Sequence, residues 1–244
     1  MLLELAGVSL SFGHAVALQE VSFRVGSGEV VCLLGDNGAG KSSLIRVLSG
    51  VYAPGAGTYS IDGAAVLLAS PRAALERGIA TVHQDLGLIP LLSVWRNFVL
   101  GAEPTRGRGA WRRIDIGKAR TAATAALAEL GIELRDPDQP VGTMSGGERQ
   151  ALAIARAVQR GARILILDEP TAALGVKQAA IALRNVANAK ARGIGVVLVT
   201  HNPAHAWQVG DRFVVLRQGN VVADLPRAEA DVARLNTLMA GAGG

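Results

Sequence analysis

This chain has little with which to cross-link or anchor itself. It carries one cysteine, Cys32, among 244 residues. No disulfide can form within a single chain, which suits a reducing compartment. Cys32 sits in an apolar run and reads as a small core residue. Aromatic residues make up only 4% of the chain, so the core must be built from aliphatic side chains. No apolar stretch approaches the roughly 20 residues needed to cross a bilayer. The opening MLLELAGVSLSFG carries Glu4 early and lacks a basic start before a long apolar stretch, so it does not read as a signal peptide. The chain is therefore expected to be neither secreted nor integral to a membrane by itself. No fixed-period repeat is visible.

What is present is a globular composition. Half of the residues are hydrophobic, enough for a sizeable core and one domain with an attached subdomain. Only Gly241 to Gly244 are expected to fray. The formal net charge is +5, with Lys and Arg mostly scattered. The densest basic stretch is RGRGAWRR, where Arg106, Arg108, Arg112 and Arg113 surround Trp111. Such a loop could touch nucleic acid or anionic lipid, but a solvated loop is the preferred reading.

Four short apolar runs read as buried parallel strands: Val30 to Leu34, Ile79 to Val82, Ile164 to Leu167 and Val196 to Val199. Near-continuous apolar runs are expected where a parallel sheet is covered on both faces. Helical patterns lie between them, at Lys41 to Leu48, Arg149 to Gln159 and Lys177 to Ala191. The alternation predicts an α/β fold with a parallel sheet. LELAGVSLSF, EVSFRV, TYSIDG and the segment after it read as short antiparallel strands of a small β subdomain. The middle, about residues 91–160, reads as helix with one polar break at EPTRGRGAW. Within it TAATAALAELGI is a good helix by propensity, ended by Gly131.

The residues that follow the four apolar runs carry the chemistry. Ligands in open α/β sheets bind outside the carboxyl ends of the strands, and each run delivers a candidate group there. After the first comes GDNGAGKSS, in which Gly35, Gly40, Lys41 and Ser42 fit the phosphate-binding pattern G-x-x-x-x-G-K-[ST]. Gly35, Gly38 and Gly40 lack the Cβ atoms that would keep backbone N–H groups from phosphate oxygens. The helix opening at Lys41 adds its N-terminal donors. Lys41 supplies a charge toward the β- and γ-phosphates, and Ser42 offers a hydroxyl to Mg²⁺. A Gly-rich turn before an ordinary helix is the plain alternative.

After the second run comes Gln84, whose amide could hold Mg²⁺ or water. After the third come Asp168, able to reach a Mg²⁺-bound water, and Glu169, able to orient or deprotonate the attacking water. Two acids closing an apolar strand are costly without a cation or water partner, although a helix N-terminal acid pair would also account for them. After the fourth comes His201, a functional candidate by position. MSGGERQ forms a second feature: Ser145 and Glu148 make a capping box that opens a helix. Its glycine-rich start, at Gly146 and Gly147, is a second anion site. One chain does not need two γ-phosphate clamps, so the second is assigned to a partner molecule.

In this order the motifs resemble those of the ATP-binding cassette (ABC) ATPases over nearly the whole chain. The resemblance implies a P-loop NTPase core with a parallel sheet, a small antiparallel β subdomain and an inserted α-helical subdomain. It implies one ABC domain over 1–244, with a nucleotide-binding core at about 1–90 and 161–244. The helical subdomain, at about 91–160, would carry MSGGE (Met144 to Glu148), the family's signature. It adds Asn37, Ala39 and Ser43 to the nucleotide-binding loop. Gln84 becomes the Q-loop residue, Glu169 the catalytic glutamate and His201 the H-loop residue. Phe12, in SFGHAVAL, matches the aromatic that stacks on adenine, where Tyr is frequent; a plain apolar strand residue is the alternative.

Met144 replaces the usual Leu of the signature, and Glu148 replaces Gln. Gly175 stands where most ABC proteins carry an Asp that contacts the partner across the dimer.

DEPTAALGVKQ and THNPAHAWQVGDRFVVLRQG are similar to single-cassette ATPases of bacterial carbohydrate importers of the ribose/fructose type. That narrower likeness implies ATP and Mg²⁺ as ligands and a homodimer sandwiching two ATP molecules. It also implies membrane permease subunits and a periplasmic sugar-binding protein as partners. The expected location is peripheral, on the cytoplasmic face of the bacterial inner membrane, with no direct contact to nucleic acid. An exporter or lipoprotein-release ATPase, or a soluble ABC protein acting on nucleic acid or ribosomes, are the competing readings.

Overall fold

The structure is a computed structural model that describes residues 1–107, 111–172 and 174–241. Arg108 of the basic stretch, and the last three residues of the tail expected to fray, lie outside the described residues. The strands are β1 (Leu3–Phe12), β2 (Ala15–Val25), β3 (Val30–Leu34), β4 (Ala56–Ile61), β5 (Ala64–Ala65) and β6 (Ile79–Val82). They continue with β7 (Thr105–Arg106), β8 (Arg113–Ile114), β9 (Ile164–Asp168), β10 (Gly195–Thr200), β11 (Arg212–Arg217) and β12 (Asn220–Pro226). The helices are α1 (Lys41–Leu48), α2 (Pro71–Glu76), α3 (Val94–Val99) and α4 (Ile116–Glu129). After them come α5 (Gly146–Gln159), α6 (Val176–Ala191), α7 (Pro203–Val209) and α8 (Val232–Ala240).

The central sheet has six strands in the order β12-β11-β3-β10-β9-β6. The pairs β11–β3, β3–β10, β10–β9 and β9–β6 are parallel, and β11–β12 is antiparallel. All four apolar runs are strands of this sheet. Two strands beyond them extend it, so the sheet is mixed at one edge rather than wholly parallel. The run VVCLL shows why continuous apolarity was needed. Val30, Cys32 and Leu34 enter one core cluster, while Val31 and Leu33 enter the other. Alternate side chains point to opposite faces, and here both faces are dry. One core lies against α5 and the C-terminal helices, and the other against α1 and the antiparallel sheet β2-β1-β4-β5. A fully buried side chain such as Phe213 stabilises by about 1.5–3 kcal/mol.

The middle of the chain departs from a helix with one break. It holds α3, α4 and α5, and β7, inside the polar break, pairs with β8 just beyond it. Between α4 and α5 the chain contains one short 3-10 turn, Val141–Thr143. Gly131 follows the end of α4 at φ 80°. Trp111 and Arg112 are exposed, and Arg112 Nη2 donates to Thr105 Oγ1 at 2.8 Å, closing the hairpin on itself.

Candidate functional site

The carboxyl ends of β3, β10, β9 and β6 open onto one edge of the sheet, and the candidate groups gather there. A cleft of about 570 Å³ is lined by Asp36, Asn37, Gly38, Gly40, Lys41, Ser42 and Ser43 on one side. Gln84, Asp168 and Glu169 line it from the other strands. Helix α1 opens this cleft with Gly40 as its N-cap, which supplies no side-chain cap, so its first-turn donors remain available for an anion. Lys41 Nζ donates to the carbonyls of Gly35 (2.6 Å) and Asp36 (3.0 Å). Burial lowers its pKa, opposed by the nearby Glu169, Asp36 and Asp168 carboxylates.

Gly40 is required by what lies behind the loop. It sits at φ 107°, and a Cβ there would lie 3.0 Å from Ala17 O and 3.3 Å from Gly219 Cα. Gly219 belongs to the Gln218–Gly219 turn between β11 and β12. Its N–H donates to Ala39 O at 2.9 Å, and its carbonyl accepts from Gln19 N at 2.9 Å. The phosphate loop is thus clamped between β2 and the β11–β12 hairpin. Gly38, in contrast, has no protein atom within 4 Å of an added Cβ. It faces the open cleft, as the phosphate-approach argument requires.

The acidic side is built on β9 and a turn. Asp168 ends β9, and Glu169 sits in the left-handed region at φ 50°. The pair therefore belongs to a strand end and turn, not to a helix start. The Ala172 N–H donates to Glu169 O at 3.0 Å and closes the turn. Glu169 Oε1 lies 2.8 Å from His201 Nδ1, while Glu169 Oε2 is buried without a hydrogen-bond partner among the described residues. Burial raises the Asp168 pKa and the Glu169 charge adds to it, while His83, 3.9 Å away, and Lys41 pull it down.

This chemistry fits a divalent cation. An acid is pushed toward protonation, a neighbouring carboxylate oxygen lacks a partner, and the Ser42 hydroxyl and Gln84 amide stand in the same cleft.

Not every candidate meets at this cleft. Gly35 and Ala39 belong to the loop but do not line it, and Ala39 is buried. Phe12 stands at the end of β1, 45% exposed, packed edge-on against Tyr52 with ring centroids 5.2 Å apart. Ser145, Gly146 and Gly147 do not reach their own chain's cleft. They open α5, where Ser145 N donates to Glu148 Oε2 at 2.7 Å and Glu148 N to Ser145 Oγ at 3.3 Å. This capping box starts the helix at Gly146, two residues before Glu148. Gly146 faces a second, smaller cleft that shares Gln84 and Glu169 with the first. Gly175 is the N-cap of α6.

Five lining residues escaped sequence reasoning: Val16, Ala17, Asp36, Gln218 and Gly219. The signal for the last two was RQGN between apolar runs, a two-residue hairpin loop. Both residues have positive φ, 48° and 78°, as a type I′ turn requires.

A phosphate loop, a lysine, and an acidic strand end backed by histidine define a P-loop ATPase of the α/β class. The particular family follows from comparison with known proteins. The ABC transporter family matches residues 18–172. The chain is 40% identical over 240 residues to the xylose/arabinose import ATP-binding protein of Sulfolobus acidocaldarius. That match covers 98% of this chain and 93% of the relative. It is also 40% identical to the fructose import ATP-binding protein of Rhizobium meliloti, over 87% of this chain and 84% of that one. Against a ribose import ATP-binding protein of Rubrobacter xylanophilus identity is again 40%, but the chain spans only 45% of that relative's length.

Among solved structures, an ABC transporter cassette in its ADP conformation superposes with a TM-score of 0.83 at 23% identity, covering 98% of this chain and 94% of the other. That level of identity speaks to the fold alone. A dimeric cassette in a post-hydrolysis state bound to ADP and Pi gives a TM-score of 0.73 at 27% identity, covering 92% and 98%. The chain belongs to the ABC transporter family and is an ATP-hydrolysing cassette of it.

Proposed function

We propose that this chain is the ATPase subunit that energises import of a sugar through a membrane permease. The observation that carries the reading is the 40% identity to a sugar-import ATP-binding protein along 98% of the chain, joined to a nucleotide cleft in which Lys41, Ser42, Gln84, Asp168 and Glu169 converge. Two copies would sandwich two ATP molecules, each site pairing the phosphate loop of one chain with Ser145, Gly146 and Gly147 of the other. Among the described residues no helix is long and apolar enough to cross a membrane, so the membrane path is assigned to permease subunits. A periplasmic sugar-binding protein would deliver the solute, and the cassette would sit at the cytoplasmic face. The helical segment of about 91–160 is read as the subdomain that carries the signature between the two parts of the core.

The residues divide the chemistry as follows. Backbone N–H groups from Asn37 to Ser43 and the Lys41 ammonium hold the phosphates and spread the charge that develops on them. To do so Lys41 exchanges its two loop carbonyls for phosphate oxygens. Phe12, held by Tyr52, offers a ring face to adenine. Ser42, Gln84 and Asp168 would hold Mg²⁺, which supplies charge neutralisation at the β- and γ-phosphates. Glu169 orients a water toward the γ-phosphorus and takes its proton as the bond to the bridging oxygen breaks, leaving ADP and phosphate. His201 fixes the Glu169 carboxylate through the 2.8 Å hydrogen bond.

The test is uptake of labelled xylose, ribose and fructose in a strain lacking this chain. Wild type restores uptake of one of them, and Glu169→Gln does not. Unchanged uptake of all three sugars in the deleted strain refutes the sugar-import reading.

A further inference from the structure

We infer that His205 is a positioning residue of the hydrolytic site, acting on Glu169 through Thr171. The inference rests on the reading of Glu169 and His201 as the hydrolytic pair. The Glu169–Ala172 turn is held from one element at two points. His201, just before α7, meets Glu169 at 2.8 Å; His205, one helical turn further on, places Nδ1 2.9 Å from Thr171 Oγ1. Asn202 fixes the spacing between the two histidines by capping α7, its Oδ1 accepting from the N–H groups of Ala204 and His205. Thr171 is buried, so its hydroxyl has few alternatives to this partner.

The turn needs such a hold. Its first residue, Glu169, occupies a left-handed backbone that a non-glycine residue adopts only when its surroundings impose it. The start of the turn is pinned to β10, where the Glu169 N–H donates to Val199 O at 2.9 Å. The His205–Thr171 bond adds a side-chain hold two residues on and further fixes the direction in which the carboxylate faces. The chain just beyond the turn reaches the signature helix. Leu174 lies against Gly146, where an added Cβ would meet Leu174 Cδ2 at 2.5 Å. The His205–Thr171 bond therefore stands midway between the catalytic glutamate and the segment proposed to face the partner's nucleotide. No motif of the phosphate loop or the signature contains either residue.

The test uses the purified full chain, with kcat, KM and ATP affinity measured for His205→Ala, Thr171→Val and the double variant. Losing one neutral hydrogen bond in the positioning of a reacting group is expected to lower kcat about three- to tenfold. ATP affinity should stay at the wild-type value, while the melting temperature falls by a few degrees for the lost partly buried bond. The double variant should be no slower than the slower single variant, because both remove the same bond. Thr171→Ser, which keeps the hydroxyl, should retain wild-type kcat. The proposal is overturned if both single variants keep kcat within twofold of wild type. It is equally overturned if their effects multiply in the double, if ATP affinity falls in step with kcat, or if Thr171→Ser is as slow as Thr171→Val. Glu169→Gln, run alongside, separates the two readings. If it abolishes turnover while the His205 and Thr171 variants do not, only the positioning role fails. If it turns over near wild type, the hydrolytic assignment itself fails.

Discussion

Replacing Gly219 by alanine tests whether the β11–β12 hairpin shapes the nucleotide site. Gly219 is at φ 78°, and a Cβ there would lie 2.8 Å from Ala17 O and 3.1 Å from Ala17 C. The left-handed conformation costs an L-residue about 1–2 kcal/mol. The overpacking adds about 1–3 kcal/mol, because the atoms met are backbone and cannot swing aside. If the turn moves instead, it gives up its bonds to Ala39 O and Gln19 N, each contributing about 0.5–1.5 kcal/mol. The first route predicts a loss of about 2–5 kcal/mol in urea unfolding, and the second about 1–3 kcal/mol. The second route also releases the back of the phosphate loop and should raise the ATP Kd. At an ATP concentration of 100 Kd, ligand stabilises the native state by about 2.7 kcal/mol, and a tenfold weaker site leaves about 1.4 kcal/mol. Unfolding with and without ATP therefore reads both effects. Gln218→Gly is the control: it alters the same turn at φ 48° without adding an atom, and should stay within about 1 kcal/mol of wild type. Gly219→Ala unfolding within about 0.5 kcal/mol of wild type, with unchanged ATP affinity, refutes the clamp.

Lys41→Ala should lose most ATP binding at physiological concentrations; calorimetric affinity within a few-fold of wild type would remove Lys41 from the phosphate site. Ser145→Arg should still bind ATP and fail to hydrolyse it. Mixing that chain with Lys41→Ala leaves one composite site intact in the heterodimer, so ATPase activity should partly return, and demonstrated heterodimers without activity argue against a signature acting across the dimer. Cys32 is fully buried and burial pushes its thiol pKa up, so maleimide should label it only after unfolding; mass spectrometry showing rapid labelling of the native chain would contradict this packing.

Much of the site was legible because it is local. The phosphate loop, Asp168–Glu169 and the Ser145–Glu148 capping box each lie within a few residues, and each follows an apolar run or opens a helix. The strands β3, β6, β9 and β10 announced themselves because both of their faces are buried. β12 did not, since only one of its seven residues is buried, and the β7–β8 hairpin is too short to show a period. The helices α2, α3 and α7 have six or seven residues each, too few for a 3.6-residue pattern. His205 and Thr171 were silent for a different reason. They are 34 residues apart, and only the packing of α7 beside the end of β9 brings them together.

The strand order sets a dimension. The strand bearing the phosphate loop and the strand bearing Asp168 are not neighbours; β10 runs between them, paired to both. Neighbouring strands stand about 4.8 Å apart, so the lysine side and the acid side are separated by about 10 Å at the level of the backbone. That gauge suits a phosphate group and a metal ion with its oxygen shell, placed side by side. It is fixed by backbone hydrogen bonds rather than by side chains. Loops and side chains at the mouth can therefore vary widely while the width offered to the triphosphate stays constant.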